Sequence, residues 1–215
     1  MKVAVFFPGR ITSGQLEEHL LRIREWPDHE FVFFASQNAV VATEESTNLM
    51  RTILSMTEEG QSNVENTVIP DFMFSCRQPY LWSQFYHNKK CMDMVLAYQK
   101  RHHMYFDIVM KYRADVENPV AVSFEDPQEH TWYIPSGFDY FDGINDRIVY
   151  GDVLSMICYC SLIDHLEHYH FKSNVMLHPE SLLGHHRRSH IGLNVIRFPY
   201  DCTLLSSRVC SWTWN

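Results

Sequence analysis

Lys111, Arg113 and Asp115 stand at alternate positions in "FDIVMKYRADVENP", residues 106 to 119. Alternation along a strand puts all three on one face, with Tyr112 and Ala114 on the other. The apolar run Phe106 to Met110 reads as a buried strand that ends in this cluster of charge. A guanidinium and a carboxylate so placed have two uses. They can pair with each other as a surface salt bridge, which contributes little. Alternatively, the arginine fork takes a diphosphate while Asp115 holds a divalent metal or ribose hydroxyls. A second candidate is "PGR" at residues 8 to 10. Gly9 lets backbone approach a ligand and Arg10 can reach a phosphate, although the same three residues also suit an ordinary turn with a surface arginine. The glycine-rich dinucleotide fingerprint is absent.

Thirteen histidines are many for this length, and they crowd into "HLEHYH" and "HPESLLGHHRRSH". His165, His168, His185, His186 and His190 raise the question of zinc. With no HExxH and no paired cysteines beside them, the sequence assigns none. Arg187 and Arg188 offer charge to a phosphate or an acceptor. Phe138, Tyr140 and Phe141 can stack on a sugar ring or pack in the core, and Trp212 and Trp214 read as packing residues. The six cysteines are scattered, with Cys158 and Cys160 the one close pair, and read as reduced core residues.

These groups need elements to position them. "KVAVFF" reads as a buried strand, and the capping pair Thr12 and Gln15 opens a helix through Leu16, Leu20 and Ile23 to Trp26-Pro27. "EFVFFAS" is a second strand, which makes a βαβ unit and predicts a parallel sheet. A short helix is expected around "TNLMRTILSM", then a loop over "TEEGQSNVENT" and a strand over "VIPDFMFS". Leu81, Phe85, Met92, Val95 and Tyr98 space a long helix ending at "KRHH". "FDYFDGINDRIVYGD" predicts a loop and then a strand, followed by a helix from Val153 to Leu166. "HPESLLGHH" predicts a short helix with Pro179 in its first turn, and "LNVIRFPY" a late strand.

The 215 residues are 46% hydrophobic and carry a net charge of −8, which fits one α/β domain over residues 1–215 and argues against nucleic acid as a partner. No stretch approaches the roughly 20 apolar residues of a membrane span, and "MKVAVFFPGR" lacks the features of a signal peptide, so a soluble, cytoplasmic protein is expected.

Taken in order, "VAVFFPGR", "FDIVMKYRADV", "DGINDRIVYGDVLSM" and "HPESLLGHH" resemble a group of glycosyltransferases found in algae, bacteria and large DNA viruses. For a viral chain the cytoplasm would be the host's. The resemblance spans residue 3 to about 190 and implies the GT-A, nucleotide-diphospho-sugar transferase fold: a mostly parallel central sheet flanked by helices. It implies transfer of a sugar from a nucleotide-diphosphate sugar donor to a glycan or glycoconjugate acceptor. Asp115 matches the second carboxylate of an aspartate–any–aspartate motif that binds Mn²⁺ or Mg²⁺, while Arg113 stands where the first would be. Asp146, and Asp142 as second choice, match the place of the base in inverting members. His178, which begins the last block, or His185 or His186 after it, matches a late histidine that completes the metal shell. A catalytically inactive glycan- or nucleotide-binding module and a nucleotidyltransferase are the alternatives, although "PGRITSG" fits the latter poorly.

Overall fold

The structure, a computed structural model, describes residues 1–9, 29–39, 61–114, 116 and 127–199, with Ile23, Glu44 and Asn48 as isolated positions. Arg10, Asp115, the expected helices after Thr12 and around 47–56 (apart from those isolated positions), and both terminal tryptophans lie outside the described residues.

Seven strands form one sheet: β1 (Lys2–Pro8), β2 (Glu30–Asn38), β3 (Gln61–Glu65), β4 (Ile108–Tyr112), β5 (Thr131–Pro135), β6 (Ile148–Gly151) and β7 (Asn194–Phe198). Their order is β3-β2-β1-β4-β6-β5-β7. Every neighbouring pair is parallel except the two that involve β6. The protein is therefore α/β, with a mostly parallel sheet.

The near-continuous apolar strands predicted for such a sheet are present because both faces are covered. Ala4, Phe6, Phe34, Val109 and Val149 face one layer of helices, and Val3, Val5, Phe7, Phe33, Ile108 and Met110 face the other way. Each fully buried side chain of this kind contributes about 1.5–3 kcal/mol. The first layer contains α1 (Asp71–Ser75), α2 (Pro79–His102), α3 (Val153–Cys160), α4 (Leu162–Phe171) and α5 (Pro179–Ser189).

The long helix α2 starts with Pro79 in its first turn and ends where His103 turns left-handed, with Lys100, Arg101 and His102 at the negative end of its dipole. Gln99 then accepts a hydrogen bond from the Phe106 amide at 2.9 Å and docks the helix end onto the start of β4.

Several expected elements differ. "VIPDFMFS" contains the short helix α1, and β3 falls in the stretch expected to be a loop. At a sheet edge a strand is half-solvated, so Gln61–Glu65 alternates between half-buried and exposed positions without an apolar run. β5, "TWYIP", was not anticipated. The helix expected from Val153 to Leu166 is two, α3 and α4, which meet at Ser161. β4 begins and ends two residues later than the apolar run suggests, so Lys111 lies inside the strand and is fully buried.

Candidate functional site

The chain leaves β1 for β2 on one side, while β4 lies on the other, so the sheet changes direction between β1 and β4. Ligands of open α/β sheets bind beyond the carboxyl ends at such a switch point. Gly9 follows β1 there, with a left-handed φ of 87° and its amide donating to the Ser36 carbonyl at 2.8 Å. Among the described residues, no atom lies within 4 Å of where its Cβ would be.

Beside it, Arg113 follows β4 directly. Because β6 is antiparallel, its amino end meets the carboxyl end of β4, and the Arg113 amide donates to the Arg147 carbonyl at 3.0 Å. This brings Asp146 under Arg113, whose Nη1 lies 3.4 Å from Oδ1 and 3.3 Å from Oδ2 of Asp146. The buried Lys111 ammonium lies 4.0 Å from Oδ2 and donates to the Asp146 carbonyl oxygen. Gln84 of α2 donates to Oδ2 at 2.5 Å. Asp146 is 1% exposed and Lys111 is completely enclosed, so carboxylate and ammonium compensate each other's desolvation. Lys111 also reaches the Tyr159 hydroxyl at 3.4 Å. Burial pushes that hydroxyl's pKa well up, and the Asp146 charge adds to the effect, so Tyr159 stays protonated.

Asp142 has the opposite environment. It is exposed, at the end of a 3-10 turn (Tyr140–Asp142) in which Phe141 and Asp142 take left-handed φ values of 52° and 54°. Two successive non-glycine residues in that region store strain of about 1–3 kcal/mol each. Tyr140 and Phe141 expose their rings beside it. The turn is held by α5: the Ile144 amide donates to the Glu180 carbonyl at 2.9 Å, and a Cβ on Gly143 would lie 2.2 Å from the Glu180 carbonyl carbon. His178, at the N-cap of α5, has its ring 4.8 Å from Phe141 and its Nδ1 2.9 Å from Glu180 Oε2.

A second polar network lies at the carboxyl ends of β2 and β3. His87 of α2 is fully buried, with Nδ1 2.8 Å from the Ser36 hydroxyl and Nε2 3.0 Å from the Thr67 hydroxyl. Burial lowers its pKa to about 4, against a smaller opposing pull from Glu65, so the ring is neutral. Asn88 is also fully buried, and neither its amide nitrogen nor its oxygen has a hydrogen-bond partner. It lies four residues after Gln84 and three before Cys91, whose thiol reaches the Phe7 carbonyl oxygen at 3.9 Å. Helical spacing therefore places the Asn88 amide on the face of α2 beneath the β1–β4 crevice.

Of the predicted site residues, Gly9, Arg113, Asp142, Asp146 and His178 all lie along this one edge of the sheet, and Arg113 and Asp146 are in contact. Arg113 pairs with Asp146 across 33 residues of sequence. Arg147 instead lies over the Phe138 ring, 3.8 Å from its centroid. Lys111 as a buried ion, Gln84, His87 and Asn88 were missed. For two of them the signal was present: His87 and Asn88 interrupt the apolar stripe of α2 at buried positions.

No curated protein matches the chain. A model for a domain of unknown function (DUF7796) matches residues 78–213, from the turn before α2 onward, and so includes Arg113, Asp142, Asp146 and His178. With well over half of its length matched, the chain belongs to that family.

Proposed function

We propose that the protein is a glycosyltransferase of the GT-A type that moves a sugar from a nucleotide-diphosphate sugar to a hydroxyl of a glycan or glycoconjugate. The observation that carries this reading is the switch point between β1 and β4, where Gly9 and Arg113 flank one crevice and Asp146 lies ion-paired beneath it. Arg113, about a quarter exposed, presents a guanidinium at the mouth of that crevice, where a diphosphate would sit. Asp146 and Lys111 act as positioning residues, since a carboxylate enclosed by two cations and an amide holds the Arg113 fork in place. Asp142 is the carboxylate an acceptor hydroxyl can reach. It takes the proton as that oxygen attacks the anomeric carbon, while Tyr140 and Phe141 offer rings to the apolar face of the sugar.

The donor types at this edge, an imidazole with carboxylates, suit Mn²⁺ better than Mg²⁺. Asp115 and His178 would hold the ion, which would neutralise charge developing on the leaving diphosphate. Calorimetric titration with a panel of nucleotide-diphosphate sugars, with Mn²⁺ and again with chelator, tests the reading together with turnover. Asp115→Ala is expected to weaken donor binding at least tenfold, about 1.4 kcal/mol. Asp142→Asn is expected to bind donor normally and lose about 10²–10⁴-fold in rate. If no nucleotide sugar binds, or Asp115→Ala turns over normally, the reading fails. Binding without turnover in the presence of acceptors would point instead to an inactive glycan- or nucleotide-binding module.

A further inference from the structure

α5 has a second functional end. It runs for 11 residues, so its carboxyl end lies roughly 16 Å from His178 along the helix axis. There Cys158, near the end of α3, meets His186 and His190. One ligand atom from each residue lies within 4.8 Å of the others. His165 of α4 stands beside them, its ring 5.6 Å from that of His186 and 6.2 Å from that of His190.

The hydrogen bonds around the cluster orient its nitrogens. His190 Nδ1 lies 2.8 Å from the His186 carbonyl oxygen. A carbonyl can only accept, so Nδ1 carries the proton and Nε2 presents a lone pair. This is the arrangement found around metal-bound histidines, in which the distal ring N–H is fixed by a carbonyl. His186 Nδ1 lies 2.8 Å from the Tyr169 hydroxyl, and Nε2 lies 2.8 Å from the Cys158 carbonyl oxygen. A hydroxyl both donates and accepts, so Tyr169 serves either tautomer. By the same rule the Cys158 carbonyl holds the His186 proton on Nε2 in the metal-free protein, with Tyr169 donating to Nδ1; on metal binding that proton moves to Nδ1, which then donates to Tyr169, and Nε2 is freed for the ion. Trp132 stacks on the far side of the His186 ring, its centroid 6.3 Å away at 21°, and fixes the ring plane.

The field also favours a cation. The carboxyl ends of α3 and α5 converge here, each carrying the negative end of a helix dipole.

We propose that Cys158, His186 and His190 form a binding site for a zinc-type divalent ion, with His165 or water in the fourth position, that ties α3 to α5. On binding, the Cys158 thiol gives its proton to solvent and its sulfur bonds the metal. The histidines enter neutral and release none. The thiolate and imidazoles are borderline-soft donors that select zinc over Mg²⁺ or Mn²⁺. The site is separate from the crevice and does not depend on the transferase reading.

Titrating the chelator-treated full-length protein with Co²⁺ tests this, because cobalt reports its ligands by absorption. One equivalent is expected to give the visible bands of a tetrahedral ion and a thiolate-to-cobalt charge-transfer band, both lost when Zn²⁺ is added. Cys158→Ser should remove the charge-transfer band. His190→Ala, at a half-exposed helix end where folding is least at risk, should weaken affinity by more than the roughly 10–100-fold that loss of an outer hydrogen-bond partner costs. His103→Ala, in the exposed turn after α2, should change nothing. Absence of the charge-transfer band in the unsubstituted protein overturns the proposal. So does its persistence in Cys158→Ser, or an equal loss of affinity in His190→Ala and His103→Ala.

Discussion

One face of α2 meets two polar networks under the same sheet edge, and they are built on opposite principles. Toward β4, Gln84 meets a network of full charges, in which Lys111, Arg113 and Asp146 are held together in the interior. One turn on, His87 meets hydroxyls only and is held neutral by burial. The ionic network is stiff because each member, once buried, needs its partner. The neutral network tolerates loss of a partner better but cannot tolerate a proton. Ionic holding beside Arg113 suits a site that must keep a guanidinium in one place, whereas the hydroxyl network suits packing that is silent above the histidine's ordinary pKa.

The sharpest way to break this contrast is at Asp146. Asp146→Asn removes the carboxylate that lies 4.0 Å from the buried Lys111 ammonium, and is expected to cost about 3–5 kcal/mol in denaturant unfolding. Lys111→Met should cost clearly less, since Arg113 and Gln84 still satisfy the carboxylate. Equal losses for the two would mean that the charges do not act as a unit.

His87 supplies the next largest effect. The unfolded chain takes up its proton below 6.5, the folded protein only below about 4. Stability from this group is thus complete above pH 6.5 and lost as pH falls through the window to 4, by about 3 kcal/mol. Glu65 and Lys90, the charged groups nearest in effect, oppose each other there. His87→Gln should flatten the acid limb of the stability profile, and an unchanged limb would place the acid-sensitive group elsewhere. The smallest effect is expected at Asn88. Replacing its unpartnered amide, as in Asn88→Leu, should stabilise the ligand-free protein by about 1 kcal/mol and, on the proposed transferase reading, weaken nucleotide-sugar binding. Stabilisation with unchanged binding would remove Asn88 from the crevice.

Sequence periodicity revealed the parallel half of the sheet because strands buried on both faces must be apolar throughout, as in "KVAVFF" and "EFVFFAS". It missed β3 and β5 for different reasons. β3 is an edge strand with no apolar run to detect, and β5 is a five-residue piece, "TWYIP", flanked by polar loops. Part of the site's composition was legible: Lys111 and Arg113 at the carboxyl end of β4, and the carboxylates of the 142–147 block. What alternation could not supply was the partner. Asp146 reaches Arg113 only because β6 runs backwards beside β4, and strand direction is a property of the whole sheet. Arg147 is the neighbour of Asp146 in sequence, but its guanidinium lies over the Phe138 ring, and burial selects Arg113 as the partner in space.

The reversal of β6 has a last consequence. In a parallel strand the loops before and after lie at opposite edges, but the segment between β5 and β6 both leaves and returns at the edge that holds Gly9 and Arg113. Its length is therefore independent of strand register: residues added or removed near Tyr140 would reshape the rim of the crevice without moving a single rung of the ladder. A change of chain length there would leave Asp146 and the strand behind it in place.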